Sequence, residues 1–527
     1  MGGSTAIGTG LERSAFSVRS VASRMVVAIA SGSSVDPADL RVSDVMECED
    51  SVIPSIERRP LVATDRPMTI GALRESGYRS RTVKEELRAN LMVALARKTP
   101  LFDGIVGYEQ TVVPQIENAI LSGQDIIFLG ERGQAKTRIA RALGTLLDAV
   151  VPAIAGCEIN DDPLAPICAA CRYRVANDAD SVELVWLTPD KRYSEKLATP
   201  DISIADLVGE VDPIKVAEGR YLSDELTIHF GLLPRTHRGI FALNELPDLA
   251  ERVQVGLLNV MEERDIQIRG YKIRLPLDLF VVASANPEDY TNRGRIITPL
   301  KDRFGSQIRT HYPKDIPTEI GIMEQERADF VDEGITTTVP GYMKEILAEL
   351  SQLARKSPEI SQRSGVSVRV TIANYENLTS NALKRALRNG ETAVVPRISD
   401  LPAIIASTAG KIELESVGDL TEERVIDRLG QRAVLNVFNR TFALAEFDSL
   451  LAAFQSGATM HVSPVLPSQE YVKQALQIPG MKGAVAKLGA TGNPAAIAAG
   501  VEFILEGLHL NRKLNKERGE SRATFRA

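Results

Sequence analysis

The chain predicts an α/β fold, a parallel sheet with helices on both faces, followed by a helical lid and a further C-terminal helical region. Three observations carry this expectation. Short apolar runs at 126–129, 182–187, 240–243, 280–283 and 308–312 recur between helix-like stretches, which is the rhythm of strands buried on both faces. A glycine-bearing segment follows the first run and opens a helix. Polar side chains stand at the ends of the third and fourth runs, where open α/β sheets bind ligands.

Along the chain, residues 1–67 read as a disordered N-terminal extension. Up to Val35 this stretch is rich in Ser, Gly and Ala and sets Arg13, Arg19 and Arg24 against Glu12 alone, a composition like that of a transit peptide. Its apolar core at 25–30 is short and late for an export signal, and Met68 offers an alternative start. Residues 68–100 form a helical lead-in, with Leu73, Val83, Leu87, Leu91, Met92 and Leu95 spaced to give an apolar face. Residues 101–313 hold the sheet and a hairpin expected to turn at Gly270. Pro313 and Pro317 mark its exit. Residues 314–399 read as the lid, broken around Pro340 and Ser357-Pro358. Residues 400–527 are helical again and end in a basic, polar segment from Asn511 that is expected to fray.

Composition bounds the function. With 527 residues, 44% of them apolar and 25% charged, the chain is ordinary globular material with room for roughly three domains. A net charge of -7 argues against coating nucleic acid or an anionic membrane through bulk electrostatics. No apolar run approaches the ~20 residues of a membrane span. Four cysteines are too few for a disulfide framework, which favours a reducing, cytoplasmic setting.

The segment Gly130-Glu-Arg-Gly-Gln-Ala-Lys-Thr137, placed between a strand and a helix, is the pattern of a phosphate-binding loop. ATP with Mg²⁺ is the ligand it points to. Successive N–H groups from Gly130, Glu131, Arg132, Gly133, Gln134 and Ala135 converge on phosphates at the positive end of a helix, Lys136 adds a point charge, and the Thr137 hydroxyl faces Mg²⁺. Ala135 replaces the usual last glycine, and its methyl is expected to require right-handed helical angles.

After Gly239, a buried run delivers Asn244 and Glu245 at its carboxyl end. Hydrolysis needs an oxygen ligand for Mg²⁺ and a carboxylate to orient and deprotonate water. Glu245 suits the second task. Asn244 keeps an oxygen but lacks the charge of the usual Asp. The plainer alternative for Glu245 is a helix cap before Pro247. Asn286 ends the next run and suits a sensor that aligns the water between the phosphate loop and Glu245, though Asn before Pro is also a turn opener. Arg303, after Pro299-Leu-Lys-Asp302, stands where a finger would reach a neighbouring subunit's phosphate; pairing with Asp302 is the dull alternative. Arg369 opens a lid helix and could report nucleotide state, with Arg363 the weaker candidate.

Together these motifs resemble the AAA+ ATPases of the magnesium chelatase I subunit and MoxR clade, over roughly 101–387. Most specific is Gly231-Leu-Leu-Pro-Arg-Thr-His-Arg-Gly239, similar to the chelatase segment before its Walker B strand. Val208-Gly-Glu-Val-Asp212 and Gly256-Leu-Leu-Asn-Val-Met-Glu-Glu-Arg264 also resemble that clade, and Ala135 is the MoxR habit. The resemblance implies a hexameric ring with Lys136 and Thr137 on phosphate and Mg²⁺, Asn244 and Glu245 as Walker B, Asn286 as first sensor, Arg303 as finger and Arg369 as second sensor. It also implies a partner with a von Willebrand factor A domain acting in trans, since the nearest text to that domain's Asp-x-Ser-x-Ser here, Asp201-Ile-Ser-Ile-Ala205, fails at its last position.

Cys157, Cys168 and Cys171 lie in a Pro- and Asp-rich loop that resembles a cysteine-bearing loop of the chelatase I subunits. Three thiolates admit Zn²⁺ with a fourth ligand from elsewhere, but none of the five histidines is near in sequence, and a redox-active or structural loop is the more ordinary reading. For the whole chain, the leading expectation is an ATP-hydrolysing remodelling motor. A nucleotide-binding switch or scaffold with little turnover is the alternative that Asn244 raises. A transcription activator of the enhancer-binding type fits poorly, because its Gly-Ala-Phe-Thr-Gly-Ala loop is missing between Thr137 and Asn244.

Overall fold

The computed structural model describes residues 66–527 except 213, 215–216, 218–226, 268–273, 287–293, 331, 362–364, 416–420 and 520–521. Residues 1–65 of the expected extension at 1–67, with Cys48, and Gly270 and Arg363, lie outside the described residues. Helix α1 (Val83–Ala96) begins with a reciprocal cap, in which Thr82 and Glu85 satisfy each other's backbone N–H groups. It is followed by α2 (Val112–Leu121), strand β1 (Ile126–Leu129) and α3 (Lys136–Ala142). Next come β2 (Val151–Ile154), α4 (Ala169–Asp178), β3 (Leu184–Leu187), β4 (Tyr193–Leu197) and β5 (Gly239–Asn244). The α/β part closes with α5 (Glu251–Glu262), β6 (Asp265–Gln267), β7 (Arg274–Pro276), β8 (Leu279–Ala285), α6 (Thr298–Asp302) and β9 (Ser306–Arg309).

Five strands form the main sheet in the order β9-β1-β8-β5-β4, all parallel. The strands alternate their side chains between two apolar layers. Ile126, Phe128, Ile240 and Phe280 pack against α1 and α2, whereas Ile127, Phe241, Val281 and Ala283 pack against the α5 side. Burial on both faces explains why these strands read as unbroken apolar runs. One expectation is corrected. The run at 182–187 does not join this sheet; its ordered part, β3, pairs antiparallel with β2, and the edge place is taken by β4, Tyr-Ser-Glu-Lys-Leu, whose half-exposed side chains gave no apolar signal. The expected hairpin exists as β6 against β7.

Beyond the sheet, α7 (Ile316–Glu326), α8 (Gly341–Lys356) and α9 (Val368–Arg388) form the lid, and α10 (Glu422–Thr441), α11 (Ser468–Leu476) and α12 (Pro494–Leu510) follow. One apolar cluster runs from Met323 to Phe525 through both regions, with Tyr342 stacked on Phe503 at 4.3 Å between ring centroids. The C-terminal segment expected to fray does not. Strands 460–462, 515–518 and 523–526 make an antiparallel sheet anchored by Phe525, which is 2% exposed. Among the described residues no helix is long and apolar enough to cross a membrane.

Gly231 to Gly239, the segment that carries the resemblance, sits at the amino end of β5, away from the phosphate loop. It receives a buried ion pair: Arg192 donates to Glu86 of α1 through two bonds of 2.7 and 2.6 Å and also to the Arg238 carbonyl. A Cβ at Gly239 would lie 2.0 Å from the Arg192 carbonyl oxygen, so only glycine allows this approach. Beside the pair, His237 Nδ1 accepts the Asp278 N–H at 3.0 Å. Burial, aided by Arg238, pushes His237 down to about 4, and burial pushes Asp278 up to about 6. The two act in opposite directions on stability. Below the ordinary histidine value of 6.5 the unfolded chain takes a proton that folded His237 refuses until about pH 4, so this group costs stability as pH falls. Folded Asp278 takes its proton near pH 6, before the unfolded chain does at 3.8, so this group adds stability as pH falls. His237→Gln should therefore gain stability relative to the native chain between pH 7 and 4.5, and Asp278→Asn should lose it. Urea titrations at the two pH values check the signs; shifts in the same direction for both variants contradict the assignment.

Candidate nucleotide-binding site

The phosphate loop leaves β1 and enters α3 in a conformation that its neighbours impose. Gly130 has no space for a side chain, since a Cβ there would lie 1.9 Å from Thr310 Oγ1 and 2.2 Å from Gln134 Oε1. Gly133 has φ +75°, and its Cβ would lie 1.9 Å from Ser367 Oγ of the lid. Ala135 corrects an expectation: its angles are φ 56°, ψ 15°, left-handed rather than right-handed. That geometry costs an L-residue ~1–2 kcal/mol. It is held by a strap of hydrogen bonds. Thr310 Oγ1 donates to Gln134 Oε1 at 2.6 Å, Tyr108 Oη donates to the Gln134 carbonyl at 3.0 Å, Tyr312 Oη donates to the Arg132 carbonyl at 2.9 Å, and the Gly130 N–H reaches the Ala285 carbonyl at 3.1 Å. Burial pushes the Tyr108 phenol up to about 12, so it keeps the proton it donates. Lys136 is buried, with its ammonium on the Gly130 and Glu131 carbonyls, the second at 2.9 Å. Thr137 is half-buried, and Arg132 and Ala135 are exposed.

At the same end of the sheet stand the other polar residues. Asn244 closes β5 and is buried; Glu245 follows it with φ 54°, ψ 48°, a second left-handed non-glycine residue. The capping alternative for Glu245 fails, because its side chain makes no cap bond to the turn it precedes. Ser284 of β8 bridges this pair to the neighbouring strand, donating to Asn244 Oδ1 at 3.1 Å and accepting the Glu245 N–H at 3.3 Å. Asn286, immediately after β8, is 1% exposed, and its Oδ1 has no hydrogen-bond partner among the described residues.

A residue that sequence reasoning missed completes this end. Glu195 of β4 accepts Asn244 Nδ2 at 2.7 Å and holds Arg141 of α3 through bonds of 2.7 and 3.0 Å. The carboxylate absent from position 244 thus stands one hydrogen bond away, on the adjacent strand. No local signal marked it, because the contact depends on the pairing of β4 with β5.

The lid meets the loop through Gly365 and Ser367. A Cβ at Gly365 would lie 2.4 Å from Tyr312 Oη, and Ser367 caps α9 by accepting the Arg369 N–H at 3.1 Å. Arg369 itself is exposed, two residues beyond the contact with Gly133. Arg303 does not join the cluster. It precedes β9, whereas Thr310, which touches the phosphate loop, follows it, so Arg303 lies at the opposite end of the parallel sheet. Its guanidinium pairs with Glu262 of α5, with Nε to Oε2 at 3.0 Å, and not with Asp302.

No protein-family model matches the chain. Over 230 residues, 43% of this chain, it is 26% identical to the magnesium-chelatase 38 kDa subunit of Cereibacter sphaeroides and covers 63% of that protein. It is 26% identical over 202 residues to the uncharacterized protein YeaC of Bacillus subtilis, 35% of this chain and 59% of that one. The chain therefore spans less than two thirds of the length of these curated relatives. A solved complex of the BchI and BchD subunits of magnesium chelatase aligns with 61% of this chain and 98% of its own at 20% identity, with a TM-score of 0.33. A superposition that loose adds nothing to the topology described above.

The left-handed turn has a direct test. Ala135→Gly should leave stability unchanged or raise it, because glycine adopts these angles freely, whereas the same change in a right-handed helix loses ~0.5–1 kcal/mol. Thermal melts read the difference. A loss of that size would return Ala135 to helical angles.

Proposed function

We propose that this chain, an AAA+ protein of the magnesium chelatase I subunit and MoxR clade, hydrolyses ATP in a ring of like subunits and uses the cycle to remodel a partner. The observation that carries the reading is Asn286. Its buried amide oxygen is unpartnered among the described residues, at the end of the strand that lies between the phosphate-loop strand and the strand bearing Glu245. Buried polar atoms are nearly always satisfied, and a water donating at this point satisfies this acceptor.

In this reading the N–H groups from Gly130 to Thr137 and the Lys136 ammonium bind the β- and γ-phosphates, with Lys136 leaving its loop carbonyls for them. Thr137 Oγ1, Asn244 Oδ1 and the nearby Glu195 carboxylate would hold Mg²⁺, and their hard oxygen atoms fit that ion. When bound, the ion neutralises charge on the phosphate oxygens. Glu245 orients the attacking water and takes its proton, and Asn286 aligns the same water. Ala135 and Glu245, two of the eight non-glycine residues with positive φ among the described residues, both stand in this arrangement, and such backbone strain is a recurrent feature of ligand clamps and active sites.

Arg303, at the far end of its own sheet, serves a neighbour's phosphate, which makes the site complete only in an oligomer. Arg369 reads the nucleotide from the lid of the same subunit. The similarity to the magnesium-chelatase 38 kDa subunit motivates a partner in trans, with a von Willebrand factor A domain as the expected type. The switch reading keeps one supporting observation: Asn244 is neutral and Glu195 is engaged by Arg141, so Mg²⁺ would have to draw that carboxylate away.

Phosphate release separates the two. The motor requires turnover that Glu245→Gln and Arg303→Ala each reduce by ~10² or more while ATP affinity stays within about threefold. Mixed oligomers of the two inactive variants should regain part of the rate, because some interfaces combine an intact Glu245 with an intact Arg303. Tight ATP binding by the native chain without release would establish the switch, and no rescue on mixing would place Arg303 outside the neighbour's site.

A further inference from the structure

Away from the nucleotide site, the loop between β2 and α4 gathers Cys157, Asp161, Cys168 and Cys171. Their three Sγ atoms and a carboxylate oxygen all lie within 4.8 Å of one another, and all but Cys157 are buried. None of the three cysteines forms a disulfide. Main-chain donors fix the group in place. Asp161, with no exposed surface, accepts the N–H of Ile167 at 3.1 Å and of Cys168 at 3.0 Å. Cys168 Sγ accepts the Cys171 N–H at 3.3 Å, and Cys157 Sγ accepts the Asp161 N–H at 3.5 Å. Bonds of this kind orient metal ligands and moderate their charge.

We propose that Cys157, Asp161, Cys168 and Cys171 form a structural Zn²⁺ site. Three soft sulfur donors with one carboxylate, at separations that suit a single small ion, select Zn²⁺ over Mg²⁺ or Ca²⁺, and four protein ligands leave no open position for catalysis. The fourth ligand comes from within the loop itself, four residues after Cys157, and not from elsewhere in the chain as the sequence suggested. Binding deprotonates the thiols and releases their protons to solvent.

The site clamps the loop against the segment that precedes β5. Asn160, next to Asp161, donates to the Arg235 carbonyl at 3.0 Å, and Arg238 Nε lies 4.0 Å from Asp162. The metal thus supports the seat of the Arg192–Glu86 pair, not the phosphate loop, and it stands independently of the ATPase reading.

Metal analysis of the full chain, purified under mild reductant without metal-affinity resin, should find about one zinc per chain. Cys171→Ser and Asp161→Ala should each lower the content at least about tenfold, whereas Glu245→Gln should not change it. Should the ligand variants fail to fold, Co²⁺ substituted into the native chain gives a second readout: intense visible bands and thiolate charge transfer mark a tetrahedral sulfur-rich site. Native protein free of zinc, with three thiols that react at the rate of exposed cysteine or with a disulfide among them, overturns the proposal, as does Co²⁺ with the pale spectrum of an octahedral ion.

Discussion

The phosphate-loop end of this molecule depends on a loop held in shape mainly by groups that reach it from outside. A six-residue turn with φ positive at both Gly133 and Ala135 has little internal support beyond the Lys136 ammonium on the Gly130 and Glu131 carbonyls. The shape comes from Tyr108, Thr310 and Tyr312, whose hydroxyls reach the loop's carbonyls and the Gln134 side chain from beyond α1 and from the end of β9. Those residues are fixed in turn. Tyr108 also bonds the His311 carbonyl at 2.8 Å, and Arg355 lies 4.5 Å from the Tyr312 ring centroid while its Nη2 reaches Glu319 at 2.8 Å. The last contacts belong to the lid. Anything that moves the lid therefore pulls on the loop through Tyr312 and, more directly, through Ser367 against Gly133.

Charge follows the same economy of shared groups. Asn244 cannot supply the negative charge that Mg²⁺ prefers, yet it touches Glu195, and Glu195 is neutralised by Arg141 from the helix that the phosphate loop opens. Two carboxylates at positions 195 and 244 would repel each other. The amide at 244 and the acid at 195 are thus one arrangement rather than a defect with an accidental neighbour. Farther from the chemistry, the bidentate Arg192–Glu86 pair is worth more as a locator than as a source of stability, since burying two charges costs nearly what their attraction returns. It sets α1 against the amino end of β5.

What could be read from the sequence divides along the line between local and distant causes. β1, β5 and β8 are buried on both sides, so Ile-Ile-Phe-Leu, Ile-Phe-Ala-Leu and Phe-Val-Val-Ala announce themselves, and the phosphate loop is marked by its own glycines and lysine. An edge strand has no such signature. Tyr-Ser-Glu-Lys-Leu was invisible beside the more apolar run at 182–187, which belongs to a separate two-stranded piece. Glu195 was lost with its strand. The angles of Ala135 are imposed by hydroxyls that arrive from Tyr108 and from Thr310, far from it in the chain, and no local rule contains them. The C-terminal hairpin was hidden by its polar composition, with Phe525 as the one deeply buried anchor of β-structure in that segment.

A triphosphate seated on the amides between Gly130 and Thr137 would draw Lys136 off its own carbonyls. Calorimetric titration of the full chain with ATP in Mg²⁺ buffer, native against Lys136→Met, tests it most directly. Saturable binding to the native chain is expected, and the variant should weaken it at least tenfold, about 1.4 kcal/mol. Equal affinity in the two proteins would contradict it.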